Sequence, residues 1–200
     1  MAKVKLTKNE LKKQKDSLKR FERYLPTLML KKQQLQMMIR QVEAAVVKKQ
    51  AERDKTFSEI SQWIEVFGEE SDLDAMIRVK SVEIDTGNIA GIDIPVFKHI
   101  EFENVTYDLY YTPPWIDKAV LELQKLITQD IEIHILRKQQ DLLNEELRIT
   151  SQRVNLFEKV KIPETKDNIK KIQIYLGDQQ TAAVVRGKIA KNSLVEVGGQ

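Results

Sequence analysis

The side chains most able to do chemistry, the two histidines of the chain, stand far apart in the sequence. His99 falls in a stretch typical of β-strand, and His134 lies in the middle of a helical stretch. Neither has neighbours at the spacings of a zinc site, which takes three or four protein ligands. We therefore interpret both as surface or structural residues rather than as metal ligands or catalytic bases.

Two other patterns look like ligand sites but lack the decisive residues. The acidic segment 69–74 has neither the glycine nor the closing glutamate of a calcium-binding loop, which favours a solvated turn. Gly87 and Gly91 are not followed by Gly-Lys-Ser/Thr, which favours a hairpin turn over a phosphate-binding loop. We expect no catalytic residue, no metal site and no cofactor.

Composition narrows the protein class further. Charged residues make up 32 % of the chain and aromatic residues 6 %, which suits a narrow helix–helix contact better than a large globular core. A net charge of +3 argues against a dedicated nucleic-acid-binding protein. The chain has no cysteine and no apolar run of about 18 residues, so we expect a cytoplasmic protein or one peripheral to the membrane, without disulfides and without direct membrane insertion.

The amino-terminal third predicts one long coiled-coil helix. Thr7 and Glu10 have the spacing of a capping box, and two heptad columns follow them. The columns are Leu11, Leu18, Leu25, Lys32, Ile39, Val46, Arg53, Ile60 and Phe67, and Gln14, Phe21, Leu28, Leu35, Val42, Lys49, Thr56 and Trp63. Four polar members could set the register of a helix pair or face a third partner: Lys32, Lys49, Arg53 and Thr56. Pro26 predicts a bend.

The middle of the chain predicts a β-hairpin. Apolar and polar residues alternate between Val79 and Val105, and Thr86-Gly87-Asn88 with Gly91 supplies turn residues. Four aromatic residues near the junction with the helices are interpreted as packing residues rather than as a base-stacking platform: Trp63, Tyr110, Tyr111 and Trp115.

A second long helix is predicted to start at Pro113, because proline at the first helical position loses no hydrogen bond. Its columns contain Ala119, Leu126, Ile133, Leu147 and Val154, and Leu136, Leu143 and Phe157. Pro163 should kink or divide it, after which Ile169, Ile172, Leu176 and Ala183 resume the apolar face. The predicted fold is mainly α, a long two-helix antiparallel coiled coil with a small β-hairpin insert between the helices. It forms one elongated domain in three segments, 1–67, 68–112 and 113–200.

The second helix carries a recognisable motif. Residues 150–163 read Thr-Ser-Gln-Arg-Val-Asn-Leu-Phe-Glu-Lys-Val-Lys-Ile-Pro. This segment, with its Arg-Val-Asn-x-x-Glu core at residues 153–158 and the aliphatic helix after Ile-Pro, resembles the signature of the D subunits of V-type and archaeal-type rotary ATPases. Thr7-Lys-Asn-Glu-Leu11 and Leu30-Lys-Lys-x-x-Leu35 are weaker similarities. The order of helix, hairpin and returning helix matches that family over nearly the whole chain.

The resemblance implies a non-catalytic central stalk subunit that transmits torque between the ATP-hydrolysing or ATP-synthesising head and the membrane ion-translocating ring. Its implied partners are the catalytic and regulatory head subunits around the paired termini. At the hairpin end they are the small F-type stalk subunit and the subunit that couples the stalk to the membrane ring. The expected contact residues are Lys12, Lys13, Arg186 and Lys188 near the ends, Arg153, Asn155 and Glu158 in the signature, and Ile92, Ile94 and Val96 in the hairpin.

Two other classes remain open from the sequence alone. A prefoldin-like chaperone also places a β-hairpin between coiled-coil helices, but it grips clients with apolar tips, whereas the ends of this chain are basic. A nucleic-acid-binding coiled coil would show an affinity that falls steeply with salt.

Overall fold

The computed structural model describes residues 4–62, 76–103, 105, 110 and 113–197, the last five by their backbone alone. In chain order the elements are helix α1 (Lys8–Ser61), strands β1 (Val79–Ile89) and β2 (Ile92–Phe102), helix α2 (Ile116–Asn155), a π-helical segment (Leu156–Lys161) and helix α3 (Ile162–Val197). A mainly helical chain with a two-stranded antiparallel sheet between its helices confirms the predicted fold class. The acidic segment 69–74 and the aromatic residues Trp63 and Tyr111 lie outside the described residues.

Helix α1 begins as predicted. The backbone N–H of Glu10 donates to the Thr7 hydroxyl oxygen at 3.2 Å, so Thr7 caps an amide that the first turn would leave unpaired. Every described member of the two heptad columns is buried or half-buried, which confirms the predicted seam. Pro26 does not divide the helix, and a bend at that position stays a prediction.

The chain folds into two compact units, which we call central and terminal. The central unit is Lys32–Ile149, and the terminal unit takes the residues up to Lys31 together with those from Thr150. Each unit contains one stretch from either long helical region, so the units do not follow the three predicted segments. That segment division stays a prediction about the order of elements along the chain.

The core of the central unit is a seam between α1 and α2 that the hairpin covers. Its buried members are Leu35, Ile39, Val42, Val46 and Leu143. Ile89, Ala90 and Ile92, at the tip of the hairpin, pack against them. Across the seam, Glu43 contacts Gln140 and Lys49 contacts Glu132, so residue numbers rise on one helix as they fall on the other. The two helices are therefore antiparallel here.

The hairpin turn differs from the prediction. Residues 86–88 lie inside β1, and the turn consists of Ala90 and Gly91, with φ of 53° and 81°. Two successive positive φ values are typical of a type I′ turn, whose twist matches that of the strands it joins. Asn88 directs the turn from the end of β1, because its side-chain oxygen accepts the Gly91 N–H at 3.1 Å and its amide donates to Asp93 Oδ1 at 2.8 Å.

The start of the second helix also differs. Helix α2 begins at Ile116 rather than at Pro113, and the Ile116 N–H donates to the Pro113 carbonyl at 3.1 Å in a turn that precedes the helix. The reason is Pro114, because a residue that precedes proline is driven out of the α conformation. Tyr110 is 90 % exposed, so the packing role predicted for it is wrong.

In the terminal unit, α1 packs against the region from Thr150 onward. The rings of Phe21 and Phe157 lie 5.3 Å apart, and Lys166 Nζ lies 3.2 Å from Glu22 Oε1. Ala183 was predicted to continue the seam, but all side chains of residues 177–192 are exposed. Helix α1 begins only at Lys8 and offers no further turn to cover them.

Pro163 lies just after the point where the second helical region is divided into α2 and α3, as predicted, although the chain stays helical through the division. A π-helical segment precedes the proline, and the backbone on either side stays right-handed helical, with φ and ψ of −60° and −39° at Asn155 and −66° and −51° at Ile162. In a regular α-helix the proline ring would collide with the carbonyl four residues earlier, at Lys159. A wider π turn directly before a proline is one way for a helix to avoid this collision. Among the described helices, none combines the length and the apolar character needed to cross a bilayer.

Candidate functional site: a polar layer and exposed surfaces

The most specific arrangement of side chains is a polar layer across the seam of the central unit. Lys49 Nζ lies 2.6 Å from Glu132 Oε2. Arg53 Nε donates to Asp130 Oδ1 at 3.1 Å. We use the name polar layer for six residues: Lys49, Arg53 and Thr56 on α1, and Gln129, Asp130 and Glu132 on α2.

Thr56 is the buried member of the layer. Its side chain sits inside the seam at 4 % exposure and accepts a hydrogen bond from the Gln129 amide at 3.3 Å. Its own hydroxyl donates to the Glu52 carbonyl at 3.1 Å, so the buried hydroxyl is satisfied on both sides. Burial of this polar group therefore depends on the alignment of Gln129 with Thr56.

The ion pairs of the layer are electrostatically matched. The pKa of Lys49 is raised, chiefly because its ammonium donates to Glu132 and further because both Glu132 and Glu52 are negatively charged. The pKa of Arg53 is raised by its hydrogen bond to Asp130, and its guanidinium also lies 5.1 Å from the centre of the Phe57 ring. Partly exposed ion pairs of this kind add little to stability, so the layer contributes more to the alignment of the two helices than to the free energy of folding.

The positions of the three contacts in the polar layer fix how α1 and α2 are aligned. Sliding one helix by a single turn, about 5.4 Å, would separate all three contacts at once. Of the two roles left open for the polar column members, the contacts of Lys49, Arg53 and Thr56 fit the setting of register. Lys32, the fourth of these polar residues, is half-buried in the column.

The expected contact residues near the chain ends are all exposed. Lys12 and Lys13 lie in the first turns of α1, and Arg186 and Lys188 lie in the part of α3 that no helix covers. All four belong to the terminal unit. Their charges are therefore available to other molecules.

The polar residues of the signature also point away from the seam. Arg153, Asn155 and Glu158 are exposed, and within the described part of the chain none of their side chains has a hydrogen bond or ion pair. Val154 and Phe157, which alternate with them, are buried and half-buried. The motif thus combines two seam residues with three surface residues.

The three hairpin residues are placed differently from one another. Ile94 is buried at 3 % exposure, Ile92 packs on the central core, and Val96 is 37 % exposed. The Gln139 amide donates to the Pro95 carbonyl at 2.5 Å and ties β2 to α2. Ile92 and Ile94 therefore hold the hairpin on the helices, which leaves Val96 as the accessible one of the three.

Sequence reasoning missed two sets of residues. Val79 and Ile84 are 42 % and 53 % exposed and offer apolar surface on β1. The α2 half of the polar layer was also missed, although an antiparallel register places acids opposite Lys49 and Arg53. The described residues contain no group of three or more histidine or acidic side chains that could hold a metal, and both histidines are exposed.

These features define a class of protein with long antiparallel helices and a β-hairpin between them in sequence. Its polar residues singled out above either pair across its own seam or are exposed to solvent. The family model of the ATP synthase D subunit matches residues 10–192. A V-type ATP synthase D subunit from Borreliella burgdorferi is 58 % identical over 98 % of this chain and 97 % of its own length. Those from Chlamydia caviae and Chlamydia pneumoniae are 36 % and 34 % identical, each over 96 % of this chain and 93 % of their own length.

The chain belongs to the family of ATP synthase D subunits. The resemblance in the signature segment is thereby confirmed, and with it the function of a stalk subunit of a rotary ATPase. The comparisons give no support to the chaperone alternative.

Proposed function

We propose that this chain is a non-catalytic, torque-bearing shaft of the central stalk, located on the cytoplasmic side and peripheral to the membrane. The observation that carries the proposal is the polar layer. A helix pair transmits torque only if its helices do not slide past each other, and three cross-helix contacts in one layer oppose sliding. The buried apolar seam supplies the stability, and the polar layer supplies the register.

The proposed partners at the chain ends are the catalytic and regulatory head subunits. A rotor meets different faces of the head during a turn, so each contact must be weak, since a deep attractive well at one angle would stall rotation. Exposed lysine and arginine pairs of about 0–1 kcal/mol meet this requirement. Lys12, Lys13, Arg186 and Lys188 have the exposure that such contacts need.

The proposed partners at the hairpin are the small F-type stalk subunit and the subunit that couples the stalk to the membrane ring. Val96, Val79 and Ile84 are apolar and exposed on a sheet of only two strands. Val96 pairs with Asp85 and therefore lies on the opposite face of the sheet from Ile84, so a partner on either face would bury apolar surface that the helices leave exposed. Arg153, Asn155 and Glu158 are proposed as further partner contacts in the terminal unit.

A truncation tests the end contacts. Removal of residues 186–200 should reduce torque and coupled ion transport in the reconstituted complex while stalk partners still bind, because the removed side chains that the structure describes make no contact with the seam. Replacing only Arg186 and Lys188 with glutamine should give a milder defect. Transport and hydrolysis at the parental rate would contradict the end contacts.

A matched pair of substitutions tests the hairpin. Ile84→Ser should weaken binding of the stalk partners with no change in helicity, whereas Val47→Ser, at a similarly exposed apolar site on α1, should leave binding unchanged. Equal effects of the two substitutions would exclude a specific hairpin interface. The purified chain should hydrolyse no ATP by itself, and hydrolysis that survives further purification would contradict the non-catalytic role.

A further inference from the structure

The seam of the returning helix changes its spacing once. In the terminal unit we take as its members the buried residues and the half-buried apolar residues, which leaves out the half-buried polar residues Ser151 and Asn168: the members are Thr150, Val154, Phe157, Ile162, Thr165, Ile169, Ile172 and Leu176. Successive members lie three or four residues apart, as in any coiled coil, except that five residues separate Phe157 from Ile162. One residue more than the heptad pattern requires is therefore present at this point.

The backbone absorbs that residue at the same place. The segment Leu156–Lys161 is π-helical, and the Ile162 N–H donates to the Phe157 carbonyl across five residues instead of four. A π turn is an α-helix with one added residue in a single turn. Without it, each residue of the helix from Ile162 onward would be rotated by about 100° away from the seam.

Helix α1 carries no matching change. Its columns keep a period of seven through Leu11, Leu18 and Leu25, and all three side chains are half-buried. Contacts to α1 exist within the π turn, through Phe157 to Phe21, and after it, through Lys166 to Glu22. The π turn therefore keeps the returning helix packed on α1 despite the added residue.

Within the packed part of this helix, up to Leu176, the same turn contains the longest run of exposed side chains. The side chains of residues 158–161 are all exposed and add little packing. Pro163 follows directly and has no N–H, so one carbonyl in the preceding turn lacks its intrahelical donor. The Thr165 hydroxyl donates to the Lys161 carbonyl at 2.6 Å, which is not the carbonyl that Pro163 leaves without a donor.

We propose that the π turn at Leu156–Lys161 is a one-residue insertion that gives the returning helix a compliant joint, where it twists more readily than in its regular turns. Its role in the complex rests on the proposed function, since a torque-bearing helix pair with one soft turn stores twist there between steps. Few packing contacts and incomplete backbone hydrogen bonding are the features that allow local opening in a folded protein.

Two single-residue deletions test the insertion itself. Both are made with Pro163→Ala, so that a regular α-helix is sterically allowed, and Pro163→Ala alone is the reference. Deletion of Lys159 should restore three- and four-residue spacing throughout and change the melting temperature by no more than about 2 °C. Deletion of the equally exposed Lys138 in α2 should put the seam out of phase and lower the melting temperature by about 10 °C or more. Equal decreases in melting temperature after the two deletions would contradict the proposal that the π turn is a one-residue insertion.

Hydrogen exchange and transport test the joint. In the full chain, amides of residues 157–162 should exchange at least about tenfold faster than those of residues 145–150, and deletion of Lys159 should abolish the difference. The complex containing that deletion should assemble but couple fewer ions to each ATP than the Pro163→Ala reference. Slow exchange in the parent chain, or unchanged coupling after the deletion, would overturn the joint. The proposed shaft function has a separate test: it would be contradicted if a complex that lacks this chain altogether still couples ion transport to ATP.

Discussion

Leu143→Ala should destabilise the central unit far more than the same change at its neighbour Leu142. Leu143 is 0 % exposed and packs in the cluster of Leu35 and Ile39, whereas Leu142 is 38 % exposed on the outer side of α2. Leucine-to-alanine changes at buried sites cost about 2–5 kcal/mol. We take about 3 kcal/mol for Leu143, because side chains in a two-helix seam can relax toward the cavity. At an exposed site the cost is about 0–1 kcal/mol.

The comparison isolates the seam because both changes remove the same atoms from the same helix and alter helix propensity equally. The expected difference of about 2–3 kcal/mol corresponds to a melting temperature lower by about 4–12 °C for a chain of this size. Urea denaturation of the full-length chain, followed by far-ultraviolet circular dichroism, measures both free energies of unfolding. Equal destabilisation by the two substitutions, or a larger effect at Leu142, would refute the register of α1 on α2 described above.

Three further changes probe the polar layer and the turn. Lys49→Glu should lower the free energy of unfolding by about 1–2 kcal/mol, because it faces Glu132 with a like charge. Addition of Glu132→Lys should recover at least half of this loss. If the effects of the two substitutions simply add in the double-mutant cycle, the two side chains do not interact as described. The pKa of Lys49 is raised in the folded state, so the contribution of Lys49 to stability is complete below its ordinary pKa of 10.5 and is lost as the pH rises through the higher folded pKa. The difference in stability between the parent and Lys49→Met should therefore shrink above about pH 10.5. Ala90→Gly should stabilise the hairpin by about 0.5–1 kcal/mol, since φ of 53° is strained for alanine, and a loss of stability in the same denaturation assay would argue against the type I′ turn.

Heptad columns were the part of this structure most accessible from sequence. A period of seven determines which side chains share one helix face, and this geometry holds whatever the partner helix is. Every described column member of α1, including the polar residues Lys49 and Thr56, is accordingly buried or half-buried. The capping role of Thr7 was equally predictable, because a cap depends on residues within one turn.

The position of the hairpin turn was less predictable, because the turn preference of residues 86–88 competed with strand pairing. Residues 86–88 contain typical turn residues, yet they lie in β1 because the strands pair through Ile89 and Ile92, whose side chains reach the core of the central unit. Ala90 accepts an unfavourable φ as a consequence. The predicted helix start at Pro113 was wrong for a purely local reason, because Pro114 drives the residue before it out of the α conformation.

The sequence by itself determined the helical regions, the hairpin, the seam and, through its signature, the family. Each of these depends on periodicity or on neighbours along the chain. Tertiary structure alone decided that Glu132, Asp130 and Gln129 meet α1, that Ile94 is buried while Val96 is accessible, and that the extra residue after Phe157 is absorbed in a π turn. These depend on the register between elements distant in sequence, which is set by the free energy of the whole packed seam rather than by any segment of it.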